Sequence, residues 1–142
     1  MRSVRQILDG KDTPLVTVGP EEPVLEALRR MAESGVGAVL VMEHGELVGI
    51  MTERDYARKI ALQGRASATT PVRTIMTTPV KTVTPEHRAR ECMQLMSDHR
   101  FRHLPVVEDG TLLGVVSIGD LLKTVIEEQR QEIGQLQAYI AS

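Results

Sequence analysis

Two stretches of the chain end in the same order of residue types: a glycine, two apolar residues, a hydroxyl residue and, three positions later, an aspartate. They are Gly49 to Asp55, which reads GIMTERD, and Gly114 to Asp120, which reads GVVSIGD. A hydroxyl residue three positions before an acid is typical of a capping box at a helix N-terminus. The same helix N-terminus, called the helix mouth below, can contact a ligand. Its free amides favour an anion, and its aspartate can accept hydrogen bonds from a ribose diol. The residues leave both readings open.

The two motifs lie in an internal repeat. Thr17 matches Thr82, and the same offset of 65 residues continues without a gap to the pair Asp55 and Asp120. Upstream, Val4-Arg5-Gln6-Ile7 matches Val72-Arg73-Thr74-Ile75 at an offset of 68, so the first repeat carries about three extra residues around 10–12. A self-match of this length indicates two copies of one supersecondary unit.

Each repeat has the pattern strand, helix, strand, strand, helix. Short β-branched runs at 15–18 and 80–83 predict the first strand of each repeat. Apolar residues then recur with a helical period at Val24, Leu28 and Met31, matched by Ala89, Met93 and Met96. The apolar runs 38–42 and 47–51 flank Glu43-His44-Gly45-Glu46, and Glu108-Asp109-Gly110-Thr111 repeats this hairpin signal. Thr52 and Ser117 are expected to open the last helix of each repeat.

Composition excludes several classes of function. The net charge of −2 gives no basic field for binding nucleic acid. Residues 1–14 contain no apolar stretch like that of a signal peptide, and no run approaches a membrane span, so we expect a cytoplasmic protein with no membrane partner. With 42% hydrophobic residues, the chain can build a shared core.

Catalytic and metal-binding patterns are missing from the sequence. Cys92 takes the place of Ala27 on an amphipathic helix, so a buried small residue is expected there rather than a nucleophile. His99 and His103 are four residues apart, but a helix end and a strand start separate them. The sequence has no pattern of a phosphate-binding glycine loop and no pattern of a Ser-His-Asp triad. We therefore expect a protein that is not an enzyme and that holds no metal.

The ungapped repeat, its Gly-apolar-apolar-Thr/Ser-x-x-Asp ending and the run His103-Leu104-Pro105-Val106-Val107 together resemble a CBS-domain pair, here a stand-alone tandem module. The resemblance implies an α+β fold of two β-α-β-β-α repeats packed as a pseudo-two-fold pair with two clefts. The expected domains are CBS repeat 1 at 1–62, a linker at 63–71, CBS repeat 2 at 72–130 and a C-terminal helical extension at 131–142. The implied ligand is an adenine nucleotide, AMP first, with ATP, ADP and NAD(H) as other candidates.

The resemblance also implies binding residues, with the hydroxyl and the aspartate of each motif contacting ribose. The first cleft is assigned Lys11, Thr13, Val16, Val36, Gly37, Ala38, Arg102, His103, Ser117 and Asp120. The second cleft is assigned Thr52, Arg54, Asp55, Met76, Val80 and Phe101.

The two clefts are expected to differ in charge. The second repeat has Arg100-Phe101-Arg102-His103 before its hairpin, where the first repeat has the uncharged Gly35-Val36-Gly37-Ala38. Arginines can neutralise phosphate, so the Ser117 and Asp120 cleft is the predicted AMP site. In the alternative reading, Arg100 and Arg102 form a solvated turn. Arg54 is open to the same two readings, as a phosphate partner or an exposed helix residue.

The expected function is that of a regulatory sensor that dimerises with itself and signals in trans to another protein. Two alternatives stay open, a ligand-free dimerisation scaffold and a sensor of NAD(H). The last segment, 121–140, keeps a helical apolar period around a polar middle at 127–132. It is either a frayed surface helix or an arm that packs on a second subunit or a partner.

Overall fold

The computed structural model of the protein describes residues 2–12 and 14–141. It divides into two compact units. The contiguous unit is Asp12–Lys81, and the composite unit joins Met1–Lys11 to Thr82–Ser142. In chain order the elements are α1 (Val4–Asp9), β1 (Thr17–Val18), α2 (Val24–Ser34), β2 (Ala38–Glu43), β3 (Glu46–Thr52), α3 (Glu53–Tyr56), a π-helical turn (Ala57–Ala61), a 3₁₀ turn (Val72–Thr74), α4 (Ala89–His99), β4 (His103–Glu108), β5 (Thr111–Ser117) and α5 (Ile118–Ala141).

The contiguous unit is built on a three-stranded sheet. Strand β1 runs parallel to β2, and β2 runs antiparallel to β3. Helix α2 buries the predicted apolar face, with Val24 and Met31 buried and Leu28 packed against the same core. Its first two amides, on Val24 and Leu25, donate to the carbonyl oxygens of Thr70 and Ser67. The segment predicted as a linker therefore satisfies a helix start that Pro23 cannot cap with its side chain.

The composite unit has a two-stranded sheet, β4 paired antiparallel with β5. The predicted strand at 80–83 is wrong, since only Val83 makes a bridge, to Val106. The reason lies in Pro105. In the contiguous unit the amide of Leu40 donates to the carbonyl of Val16, whereas Pro105, at the matching position, has no amide hydrogen to donate.

Both predicted hairpins are present, and the geometry of their turns accounts for the residue types found there. His44 and Gly45 have φ of 52° and 78°, and Asp109 and Gly110 have φ of 49° and 78°. Two successive positive φ angles define a type I′ turn, which matches the twist of the flanking strands and favours glycine at its second position.

The segments that lead into the repeats, 4–11 and 72–77, are exchanged between them. The amide of Val4 donates to the carbonyl of His87, and the amide of Val72 donates to the carbonyl of Glu22. Ion pairs follow the same symmetry, Arg5 with Glu86 and Arg73 with Glu21. Each leading segment thus packs on the body of the other repeat. As a result, the boundaries of the compact units differ from those of the sequence repeats.

Glycine permits this exchange on both sheets. A β-carbon at Gly49 would lie 2.5 Å from the sulfur of Met76, and one at Gly114 would lie 3.0 Å from a methyl of Leu8. Met76 and Leu8 are themselves repeat equivalents, so the same close contact is built twice.

Helix α5 is continuous over 24 residues. Leu121 and Thr124 are buried against the composite unit, and Arg2 pairs with Glu127 at 2.8 Å. Beyond this point the helix leaves the core, and every residue over 129–141 is exposed. Within the described ranges, none of the helices combines the length and hydropathy that crossing a bilayer requires.

Candidate ligand-binding site

The repeated motif of the composite unit forms the helix mouth that its sequence predicts. The amide of Ser117 donates to Oδ2 of Asp120 at 2.8 Å, and the amide of Asp120 donates to Oγ of Ser117 at 3.2 Å. This is a reciprocal capping box, so the structural reading of the motif holds. The side chain of Asp120 nevertheless keeps 23% of its surface exposed, and it can still take part in binding.

Lys11 joins this helix mouth from the leading segment. Its ammonium group lies 2.7 Å from Oδ2 of Asp120 and 2.8 Å from the carbonyl oxygen of Val115. Burial acts to raise the pKa of Asp120. The hydrogen bonds from Lys11 and Ser117 and the positive charge of Lys11 outweigh it and hold that pKa below its ordinary value. Asp120 is therefore an ionised acceptor at neutral pH.

Arg102 and His103 are brought to the same mouth by strand pairing. His103 lies opposite Ser117 in the β4–β5 register, and the amide of Ile118 donates to the carbonyl of Arg102 at 2.9 Å. Arg102 is exposed and His103 is half-buried. Five of the residues assigned to the first cleft, Lys11, Arg102, His103, Ser117 and Asp120, thus occupy one region of the composite unit.

The equivalent acid of the contiguous unit is fully engaged. Oδ2 of Asp55 accepts from the amide of Thr52 at 3.0 Å and lies 3.2 Å from the Thr52 hydroxyl. Oδ1 accepts from the hydroxyl of Thr77 at 3.2 Å and pairs with the ammonium group of Lys59 at 3.1 Å. The side chain of Asp55 is only 11% exposed. Both of its oxygens are therefore committed within the fold.

The hydrogen bonds of Asp120 are distributed differently. Those from Ser117 and Lys11 both end on Oδ2, and no residue that the structure describes donates to Oδ1. The two repeats thus share the capping box, but Asp120 keeps one oxygen, Oδ1, that a ligand could use, whereas both oxygens of Asp55 are engaged.

The remaining assigned residues belong to both compact units. Gly37 and Ala38 lie beside Thr52, because Ala38 pairs with Thr52 and the carbonyl of Gly37 accepts from Glu53. Val16, Val36 and Met76 pack at the edge of the contiguous unit's core, Val80 is half-buried in the same unit and Arg54 is exposed. Phe101 belongs to the composite unit, where its ring stacks on His99 with centroids 5.5 Å apart. Thr13 lies outside the described residues.

Sequence reasoning missed the two residues that engage Asp55. Lys59 stands four positions after Asp55, a spacing at which opposite charges on a helix can meet. Thr77 comes from the leading segment of the second repeat and carries no comparable signal. In the part of the chain that the structure describes, no three His, Cys, Asp or Glu side chains gather as metal ligands would.

Comparison with known proteins supports the pattern of two repeats. The model of the CBS domain family matches residues 4–62 and 72–127. The mitochondrial CBS domain-containing protein CBSX3 of Arabidopsis thaliana is 48% identical over 125 residues, which are 84% of this chain and 61% of that protein. The CBS domain-containing protein YhcV of Bacillus subtilis is 37% identical and covers 81% of each chain.

A solved structure agrees with the fold. A protein with CBS domains from Burkholderia ambifaria is 48% identical and superposes with a TM-score of 0.86, covering 89% of this chain and 96% of that one. CBS domain pairs are in general regulatory modules that bind adenine nucleotides, and they are not enzymes. Two matched repeats, each with a small sheet, helices and a capped helix mouth, make this chain a member of the CBS domain family.

Proposed function

We propose that the chain is a regulatory sensor that binds AMP at the helix mouth of Ser117 and Asp120. The observation that carries this proposal is the contrast between the two acids: Asp120 is partly exposed with Oδ1 available, whereas both oxygens of Asp55 are committed. A ribose diol donates two hydrogen bonds, and a carboxylate held in place by its own helix is a suitable acceptor.

The charges around Asp120 support a ligand with a phosphate group. Lys11 pairs with Asp120, Arg102 and His103 lie where β4 begins opposite Ser117, and Arg100 lies two residues before Arg102. Arginine can bind phosphate through two parallel hydrogen bonds. In the proposed mode, Asp120 accepts from the ribose hydroxyls while the cationic groups neutralise the phosphate. The assignments of Thr13, Val16, Val36, Gly37 and Ala38 to this cleft, and of Thr52, Arg54, Asp55, Met76, Val80 and Phe101 to a second cleft, stay predictions.

The output of the module is proposed to act on another protein. Nucleotide binding would change the surface that this partner recognises, and a ligand bound only to the folded state must also stabilise it. A homodimer is the proposed assembly. A cytoplasmic location likewise stays a prediction, which cell fractionation can test.

Calorimetry tests the site. We expect the wild-type protein to bind AMP, and ADP, ATP and NADH in the same titrations rank the adenine nucleotides against it. Asp120→Ala should weaken AMP binding by about tenfold or more, because a hydrogen bond to a charged group is lost. Asp120→Asn, which can keep the cap, is measured beside it.

Asp55→Asn is the matched control, since the same motif is changed in the other repeat. It should leave AMP affinity within about twofold, because its site is not the one proposed. Circular dichroism establishes that each variant is folded. Unchanged AMP binding in a folded Asp120→Ala protein would remove the proposed site, and mass spectrometry of ligand released from the purified protein identifies what occupies it.

A ligand-free scaffold is the second candidate, favoured by the two complete capping boxes, which account for the Thr52 and Asp55 pair and the Ser117 and Asp120 pair without a ligand. The two candidates differ in a thermal melt. AMP, ADP, ATP or NADH raises the melting temperature of a sensor and leaves that of a scaffold unchanged.

A further inference from the structure

The second half of α5 is exposed on every side, yet it carries regularly spaced apolar side chains. All residues over 129–141 are exposed. A solitary helix of this length is marginal in water, and Gly134 weakens it further. Along the whole of α5, five exposed apolar residues recur at regular intervals: Leu122 at 47%, Ile126 at 47%, Ile133 at 55%, Leu136 at 62% and Ile140 at 80%.

The spacing of these five residues is that of a coiled-coil seam. Counting heptads along α5 puts Ile126, Ile133 and Ile140 at position a, and Leu122 and Leu136 at position d. Isoleucine at a with leucine at d favours two parallel strands. Gln129 occupies the remaining d position, so one polar residue interrupts the apolar seam.

This seam is distinct from the face that packs on the composite unit. Leu121 and Thr124 are buried there, whereas Leu122 and Ile126 point away from it. The seam from Leu122 to Ile140 is about 27 Å long at the rise of an α-helix. A second helix can therefore lie along it without disturbing the packing of α5 on its own chain.

The charged residues of α5 distinguish a parallel pair of identical helices from an antiparallel pair. An antiparallel pairing that sets Ile126 against Leu136 would bring Arg130 next to its own counterpart, and Glu132 next to its own. A parallel pairing instead places Arg130 beside Val125 and Glu132 beside Gln137. Only the antiparallel arrangement brings like charges together, so the charges favour the parallel one.

We propose that α5 forms a parallel two-stranded coiled coil with α5 of a second copy of this chain. The proposal deepens the homodimer of the proposed function by naming its surface, and it does not require nucleotide binding. The occupant is a second copy because an a and d seam of this composition is complementary to itself.

Sedimentation equilibrium of the full chain tests the interface. The wild-type protein should be a dimer. Ile133→Lys should raise its dissociation constant by about a hundredfold, because it places a charge in the seam. Gln131→Lys, two residues away at position f, is the matched control and should leave the constant within about twofold. A monomeric wild-type protein, or equal constants for the two variants, would overturn the proposal.

Cross-linking tests the orientation. In a parallel pair, residue 140 lies beside its counterpart, whereas in the antiparallel layering it faces residue 122, about 27 Å from that counterpart. Ile140→Cys in the full chain should give a disulfide-linked dimer with oxidised glutathione, and the wild-type protein, whose Cys92 is buried, should give none. A dimer that stays uncross-linked at this position contradicts the parallel arrangement.

Calorimetry with AMP on Ile133→Lys separates this inference from the nucleotide site. Normal AMP binding by a monomeric Ile133→Lys protein supports the seam and the site together. A wild-type dimer that dissociates in this variant supports the seam even if no chain binds AMP.

Discussion

The ammonium group of Lys11 lies 2.7 Å from Oδ2 of Asp120 and so fastens the leading segment to the helix mouth at which we place the ribose. Lys11 is also the last residue of that segment before the chain passes into the contiguous unit. A nucleotide that engages Asp120 must share the carboxylate with Lys11 or displace it. The end of the leading segment is therefore directly coupled to occupancy of this site.

Lys11→Met should lower the free energy of unfolding by about 1 kcal/mol at pH 7, because a partly buried charged hydrogen bond is lost. The pKa of Asp120 is held below its unfolded value of about 3.9, so this contribution is present above that pH and is lost as the pH falls through the native pKa. Urea unfolding at pH 7 and in acid measures both values. Lys81→Met, at an exposed lysine, should change neither, and an equal loss for Lys11→Met at both pH values would contradict the pairing.

Arg100→Gly should stabilise the ligand-free protein by about 1 kcal/mol. Arg100 ends α4 with φ of 57°, the left-handed region that Gly35 occupies at the same place after α2. A residue with a β-carbon is strained there and glycine is not. Thermal melts with and without AMP measure the effect. If Arg100 serves the phosphate, the variant gains stability alone but loses part of the AMP-induced shift.

Gly49→Ala should destabilise the protein by about 2 kcal/mol, and Gly114→Ala by about 1 kcal/mol. The new methyl group would meet three atoms of Met76, including its β-carbon, but only the flexible end of Leu8 at its closest. The two variants control for each other, since they occupy equivalent positions. Chemical denaturation gives both free energies, and the reverse order would contradict the packing of the leading segments.

Gly134→Ala should stabilise α5 by about 1 kcal/mol, because Gly134 is a solvent-exposed helix residue with open space at its β-carbon. It stands outside the a and d seam and should strengthen helix and dimer together. Circular dichroism against protein concentration measures this. Gly64→Ala is the contrasting control: its φ of +67° disfavours a β-carbon, so it should destabilise the chain.

Cys92 should resist thiol reagents in the folded protein at pH 8. Burial, with a smaller contribution from Glu91, raises the pKa of its thiol to about 11, so roughly one thiol in a thousand is ionised at that pH. Reaction with a chromogenic disulfide should be fast in urea and slow in buffer. Fast labelling of the native protein would place Cys92 outside the core.

Much of the fold could be predicted from the residues alone, because local signals agree with the packing. Val24, Leu28 and Met31 mark the buried face of α2, and His44-Gly45 marks a type I′ turn. The strand at 80–83 failed because pairing depends on a donor in a neighbouring strand, and Pro105 cannot supply it.

The exchange of leading segments was beyond sequence reasoning. Val4 and Val72 are recognisable as equivalents, but equivalence does not say on which body each one packs. The nearest signal was the pair Gly49 and Gly114, whose missing side chains make room for Met76 and Leu8. The different hydrogen bonding of Asp55 and Asp120 could not be predicted for the same reason, since their partners Thr77 and Lys11 both lie in those segments.

The exchanged segments set an order of events during synthesis. Once Lys81 has left the ribosome, the contiguous unit has all its residues, whereas residues 1–11 still lack β4 and β5. At about 5–20 residues per second, synthesis from Lys11 to the end of β5 at Ser117 takes roughly 5–20 seconds, so residues 1–11 wait that long for this surface. Val4 and Ile7, which are buried in the finished protein, are uncovered throughout. A translating ribosome therefore carries a completed contiguous unit while residues 1–11 still await β4 and β5.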